Sequence, residues 1–348
     1  MKKPCKAGLA ASLRACSGQC NDRPQGQAKP CGDITARGPS RIWPADPSAP
    51  APRHTRYELW TPADAGSAAE MLQLVNAQGA QGYRSLGRVC VAEGQPDPVI
   101  FIRDEATRYL YQVQSGTTGG ADFLREANHM GQRGFRFDPA AGATQTALGP
   151  LGGALRFYRH DRQSLARYDY RQALAARAHA PSVEFLACLN AMGLQGYRYL
   201  LQPRRPAGDG SGPVEGGLFE RETGGRTVFR YTALPMAWSE AKWLDQLNEL
   251  GAQGYRLLGF KTLAQGVMGL FELDAVRCMS YRYFQRPCEA SVDALVVQAN
   301  HEGEHGAQID SVSRQASPGA FDTVVYVQSI NWGTQLDTLQ QQERAFAQ

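Results

Sequence analysis

One pattern constrains this chain more than any other: Asn-x-x-Gly-x-x-Gly, written five times. It stands at Asn76/Gly79/Gly82, Asn128/Gly131/Gly134, Asn190/Gly193/Gly196, Asn248/Gly251/Gly254 and Asn300/Gly303/Gly306. Successive Asn residues are 52, 62, 58 and 52 positions apart. Four copies continue with an aromatic residue and Arg: Tyr83-Arg84, Phe135-Arg136, Tyr197-Arg198 and Tyr255-Arg256. The fifth departs, with Ala307-Gln308. Self-similarity at a near-constant period marks a chain assembled from copies of one supersecondary unit.

The residues before each Asn define an element. Positions five, four and one before it are Met71/Leu72/Val75, Phe123/Leu124/Ala127, Phe185/Leu186/Leu189, Trp243/Leu244/Leu247 and Leu295/Val296/Ala299. That spacing is one apolar stripe on a helix. Ser67, Ser182, Ser239 and Ser291 fall where N-caps belong, and Ser67 with Glu70 reads as a capping box. The first Gly is expected at the left-handed C′ position and the second at a tight entry into a strand. The Asn is expected to bond loose carbonyls at the helix end. Alternating strands precede each helix, as at Arg56–Trp60 and Ser280–Gln285. A second strand follows the glycines, and a third follows a variable loop, as at Val99–Arg103 and Thr323–Gln328.

The expected fold class is therefore α+β, with five tandem β-α-β-β repeats of about 55 residues. One such unit is too small to bury its own apolar face, so neighbours must stack, as an open array or a closed pseudo-fivefold ring. The repeats are read as 53–105, 106–163, 164–224, 225–276 and 277–330. Residues 1–52, rich in Pro, Gly, Ala, Ser and Arg, read as a disordered tail or weak targeting segment, and 331–348 as a capping helix.

Composition removes several function classes. The 348 residues are 43% hydrophobic and carry a formal charge of +4, too mild to argue for nucleic acid. No apolar run approaches the ~20 residues that span a bilayer. Eight Cys include no Cys-x-x-Cys pair, so reduced thiols and a cytoplasmic chain are the favoured reading. Export is the alternative, from the interrupted apolar stretch Ala7–Leu13 before Cys16.

Leu247-Asn248-Glu249-Leu250-Gly251-Ala252-Gln253-Gly254-Tyr255-Arg256-Leu257-Leu258 resembles a small bacterial domain of unknown function, numbered 4177 in that series, whose members carry a similar L-N-x-L-G-x-x-G-W-E-L stretch. Leu189–Leu200 is nearly as close. The resemblance implies a β-α-β-β fold and no established activity. Tyr-Arg stands here where that family often has Trp-Glu. A weaker, fold-level likeness is to the pentein propellers, whose enzymes use a Cys nucleophile and a His. It would put Cys278 or Cys288 with His160 or His179 in those roles, though no motif supports it.

Two further features bear on chemistry. His301-Glu302-Gly303-Glu304-His305 matches His-Glu-x-x-His, the zinc-protease pattern that needs both His on one helical face. The repeat register instead ends the helix at Gly303, leaving His305 in the next loop and the whole turn in solvent. Arg84, Arg136, Arg198 and Arg256 place one cation per unit at an equivalent strand position. In a closed ring they would converge on an anion. The commoner arrangement pairs each with an acid on an adjoining third strand, such as Asp104, Asp161, Glu220 or Asp274. Gly208-Asp209-Gly210-Ser211-Gly212 opens no helix and reads as a loop. The expectation is a non-catalytic binding or structural module that needs no cofactor. Its partner would be a protein or a small anionic ligand, met through variable loops such as Pro203–Pro213. The alternative is a hydrolase using the Cys/His set or zinc at His301/His305.

Overall fold

A computed structural model describes residues 56–60, 68–88, 99–103, 107–115, 120–142, 155–173, 179–200, 217–237, 239–277, 279–289, 291–313 and 323–331. The expected tail 1–52, the capping helix over 331–348, Ser67 with its capping box, Cys278 and the loop Pro203–Pro213 lie outside the described residues, apart from residue 331.

Among the described residues fifteen strands and six helices follow in order: β1 Arg56–Trp60, α1 Ala68–Ala80, β2 Arg84–Arg88, β3 Val99–Arg103; β4 Tyr109–Ser115, α2 Gly120–Gln132, β5 Arg136–Phe137, α3 Pro139–Gly142, β6 Leu155–Asp161; β7 Tyr168–Ala173, α4 Ser182–Leu194, β8 Arg198–Leu200, β9 Gly217–Glu222; β10 Phe229–Pro235, α5 Glu240–Ala252, β11 Tyr255–Leu263, β12 Gly266–Asp274; β13 Met279–Pro287, α6 Val292–Glu304, β14 Ala307–Ser313, β15 Thr323–Asn331. The fold is α+β. Each group of three strands makes its own antiparallel sheet, with the third strand in the middle and the first and second at the edges. Among the described residues no strand of one sheet is hydrogen bonded to a strand of another, so the sheets form an array and no barrel.

The five long helices each have 13 residues. Their stripe is buried at two of the three expected positions, as at Phe185 and Leu189 or Trp243 and Leu247; the third, such as Leu186, packs alongside. Each helix lies on the first strand of the following sheet: α1 on β4, α2 on β7, α4 on β10, α5 on β13. The last, α6, lies on β1. The cores follow this pairing. Phe185, Leu189, Tyr199 and Phe219 of the third unit join Tyr231 and Leu270 of the fourth. Leu295, Ala299 and Tyr326 of the fifth join Tyr57, Ile100 and Ile102 of the first. Each middle strand thus sends one face to the next unit and one to the previous. Leu218 packs with Phe123 and Tyr158, and its neighbour Phe219 with Phe185.

The structure corrects the roles expected of the glycines. Gly79, Gly131, Gly193, Gly251 and Gly303 do not sit at a left-handed C′ position. Each is the penultimate residue of its helix, inside the helical hydrogen bonding. For the first four the reason is contact with the next unit. A Cβ on Gly79 would lie 2.7 Å from the carbonyl oxygen of Tyr109, on the first strand of the second unit. On Gly131, Gly193 or Gly251 it would lie 2.2 Å from the carbonyl oxygen of Tyr168, Phe229 or Tyr281. Glycine is there to let helix and strand touch. The left-handed conformation falls instead to the second glycine of each pair, with φ of 92°, 85°, 83°, 90° and 78° at Gly82, Gly134, Gly196, Gly254 and Gly306.

Ser239 and Ser291 cap as expected, accepting from the Lys242 and Ala294 amides. Ser182 does not: Pro181 is the N-cap, and the Ser182 amide donates to Gln265 Oε1. The short α3 has no counterpart in the sequence reading. It begins where Asp138 Oδ1 accepts the amides of Ala140 and Ala141.

Candidate functional site

The polar groups concentrate where one unit meets the next. The Asn of the motif, expected to hold its own helix end, reaches into the neighbouring unit. Asn190 Oδ1 accepts the Tyr231 amide at 2.8 Å and its Nδ2 donates to the Tyr231 carbonyl at 3.1 Å. Asn76 does the same to Tyr111, Asn128 to Tyr170 and Asn248 to Tyr283. Asn300 does it to Tyr57, at 2.7 and 3.2 Å. In Asn128, Asn190 and Asn248 the Nδ2 group also donates to a carbonyl four residues back, of Leu124, Leu186 or Leu244, so the local role is kept as well. A primary amide has one acceptor and two donors. It therefore satisfies both outward groups of an edge-strand residue, on a strand edge that would otherwise recruit another chain.

The tyrosine receiving each amide turns its ring back into the junction. Its hydroxyl accepts an amide from the second strand of the preceding unit: Phe137 to Tyr170, Tyr199 to Tyr231, Leu257 to Tyr283 and Ile309 to Tyr57, at 2.7–2.8 Å. Tyr111 is equally buried, its hydroxyl close to Arg159 and Asp138. Burial is the largest cause raising the pKa of Tyr231, with Glu272 next, so the phenol stays protonated and donates to that carboxylate at 3.2 Å. This five-fold tyrosine is the feature that sequence reasoning missed. Its signal is present: a Tyr 35 to 42 residues after each of the first four motif Asn residues, visible only once helix and following strand are compared across units.

The arginine set divides. Arg136 Nε meets Glu220 Oε1 at 2.7 Å, and Arg198 Nε meets both oxygens of Glu272 at 2.8 and 3.1 Å. Both acids lie on the middle strand of the next unit and are buried, at 3% and 7% exposure, while the guanidiniums are about a third exposed. Coulombic attraction to Glu272 raises the Arg198 pKa further. The acid position is read from register: Ile102, Arg159, Glu220, Glu272 and Val327 stand opposite the equivalent strand residues. Arg84 therefore meets a unit carrying Arg159, which pairs with Asp138 at 3.1 Å. Arg256 meets a unit carrying Val327 and makes no ion pair among the described residues. Of the other acids expected as partners, Asp161 holds the Gln163 amide, Asp274 pairs with Arg277, and Asp104 lies outside the described residues.

His301 is in the last turn of α6 and His305 is its C-cap, both exposed, with ring centroids 5.3 Å apart. The turn is not wholly in solvent, contrary to expectation. Glu302 is 7% exposed and bound through Oε1 to Arg286 Nε at 2.7 Å. Among the described residues no three His, Cys, Asp or Glu side chains gather to hold a metal. Among the described residues the members of the pentein-like set, His160, His179 and Cys288, stand in separate surroundings. His160 lies tilted against Phe135 with Nδ1 at the Gly134 carbonyl, His179 precedes α4, and Cys288 packs beside the core shared by the fifth and first units.

No helix among the described residues is long and apolar enough to cross a membrane. No protein-family model, curated protein or solved structure matches this chain.

Proposed function

We propose that this chain is a non-catalytic binding module, a ring of five β-α-β-β repeats closed by its own last helix on its own first strand. The observation that supports it is the pairing of Asn300 with Tyr57. It repeats, across a separation of 243 residues, the contact each earlier helix makes with the strand that follows it. In this reading the recurring groups of the motif are spent on joining units: Asn and Tyr on strand edges, Arg136 and Arg198 on buried acids. Nothing in that inventory is a nucleophile beside a base. Recognition then falls to what differs between units, the loops after the second strands and the inner strand edges.

Native mass spectrometry of the chain purified gently from its own source tests the reading. A bare mass, or one raised by a protein partner or small anion, is expected. A retained zinc ion, lost in a His301→Ala variant, would replace it with the hydrolase reading.

A further inference from the structure

The outward faces of the five long helices are not alike. Counted from the motif Asn, the exposed positions are the seventh and third before it and the first and fourth after it, all on one side of a helix. On α2 they include Arg125 and His129, and on α5 Asp245 and Glu249. On α6 Val297 stands between Asp293 and His301, and on α1 Gln73 stands among alanines. Only α4 has an outward face without a polar group: Val183, Ala187, Ala191 and Leu194. Val183 is 77% exposed and Leu194 64%. The opposite side of α4 buries Phe185, Cys188 and Leu189, and Glu184 is the one charged residue of the helix. A helix that is apolar on both sides belongs in contact on both.

We infer that this face is the contact between two copies of the chain, packed α4 against α4 in antiparallel fashion about a twofold axis. The order of side-chain sizes is the first argument. Large, small, small and large residues follow one another along the face. A reversed copy therefore sets Val183 against Leu194 and Ala187 against Ala191, and the alanines let the two helix axes approach to about 8 Å. A face that matches its own reversal is what a twofold interface requires.

Charge is the second argument. Glu184 stands exposed in the first turn of α4. At the other end Gln195, the C-cap, accepts from two guanidiniums: Arg171 Nη1 at its Oε1 and Arg221 Nη1 at its carbonyl, each at 3.5 Å. Both guanidiniums lie over the Tyr197 ring, at 4.7 and 4.5 Å. The carboxylate facing them is Asp169, which pairs with Arg221 at 3.2 Å, so two cations against one acid leave this end positive. Lys261, the cation near the first turn, lies over the ring of Phe185 on the buried side of the helix. An antiparallel copy brings Glu184 to Arg171 at both ends of the contact; a parallel copy would set Glu184 against Glu184. A 13-residue helix is about 20 Å long, so the contact falls at the low end of interface size and the dimer is weak. The inference concerns the outer face alone and does not depend on closure of the ring.

Sedimentation velocity of the full chain across about 5–500 µM is the test. A monomer–dimer equilibrium with a Kd of about 10–100 µM is expected. Ala187→Arg, at the middle of the face, should weaken it ~10-fold or more, while Gln73→Arg, at the same position on α1, should leave it unchanged. Glu184→Lys and Arg171→Glu should each weaken the dimer several-fold, and the double variant should recover most of the loss. Circular dichroism melts verify that each variant is folded. A wild-type chain that stays monomeric throughout overturns the proposal, whether the face then meets a different protein or another part of the same chain. So does a dimer indifferent to Ala187→Arg, or a charge-swapped double variant that recovers nothing. None of these results touches the ring, which is read by amide exchange at Tyr57.

Discussion

The junction between the third and fourth units and the one between the fifth and first perform the same task with different inventories. Both have the Asn–Tyr pair: Asn190 on Tyr231, Asn300 on Tyr57. Both return the tyrosine hydroxyl to an amide, of Tyr199 in one and Ile309 in the other. The third-to-fourth junction adds Arg198 and Glu272; the fifth-to-first has Gln308 and Ile102 at those positions. What is constant is the satisfaction of strand edges, where an unmet buried N–H or C=O costs about 1–3 kcal/mol. What varies is the ion pair, whose Coulombic gain is largely offset by desolvation. The edge contact is thus the structural requirement, and the ion-pair position is free to diverge.

The largest expected effect removes the close approach that precedes any hydrogen bond. Gly193→Ala places a Cβ 2.2 Å from the Phe229 carbonyl, on rigid backbone at both sides. It should cost about 3 kcal/mol in a denaturant melt, with Phe229 and Tyr231 the first amides to lose protection. The same substitution at Gly224, where nothing lies within 4 Å, should cost less, through backbone strain alone.

Asn190→Ala and Asn300→Ala come next and sharpen the comparison directly. Each strips partners from both backbone groups of one edge residue, for about 2 kcal/mol. Equal losses mean that the fifth junction is as real as the third; a neutral Asn300→Ala would make it decorative. Arg198→Met should cost about 1 kcal/mol, discounted because the guanidinium is a third exposed, while Gln308→Met should stay within ~0.5 kcal/mol of wild type.

The smallest effect is the pH term. The folded-state pKa of Asp310 is raised to about 6 from 3.8, so its protonated form is favoured by folding. Its contribution is fully present below the unfolded value and is lost as pH rises through about 6. Asp310→Asn should abolish that loss and melt later than wild type by about 1 kcal/mol above pH ~7, with no advantage near pH ~4.

Much of this was legible in the chain, for reasons particular residues explain. The helix stripe is readable because apolar residues at the positions of Phe185 and Leu189 recur at one spacing in every unit, and alternation marks the strands that flank it. The sequence does not disclose the role of the first glycine of each pair, because a Gly near a helix end has two uses. Only the distances from Gly79 to Tyr109 and from Gly193 to Phe229 tell them apart. Asn was assigned to its own helix alone for the same reason: its other partner is 35 or more residues away, on another unit. Arg198 and Arg256 look identical in sequence. What separates them is Glu272 against Val327, residues that become their neighbours only through register. The burial of Glu302 was hidden in a turn crowded with charge, where Arg286 from another element neutralises it.

The measurement closest to the central claim is hydrogen exchange at the Tyr57 amide. In its own sheet Tyr57 is an edge residue, and the partner of its amide is Asn300 Oδ1, at 2.7 Å. A closed ring predicts protection comparable to that of the Tyr231 amide and its loss in Asn300→Ala. Exchange at the rate of a free strand edge, in wild-type chain whose Tyr231 amide is protected, would contradict the ring.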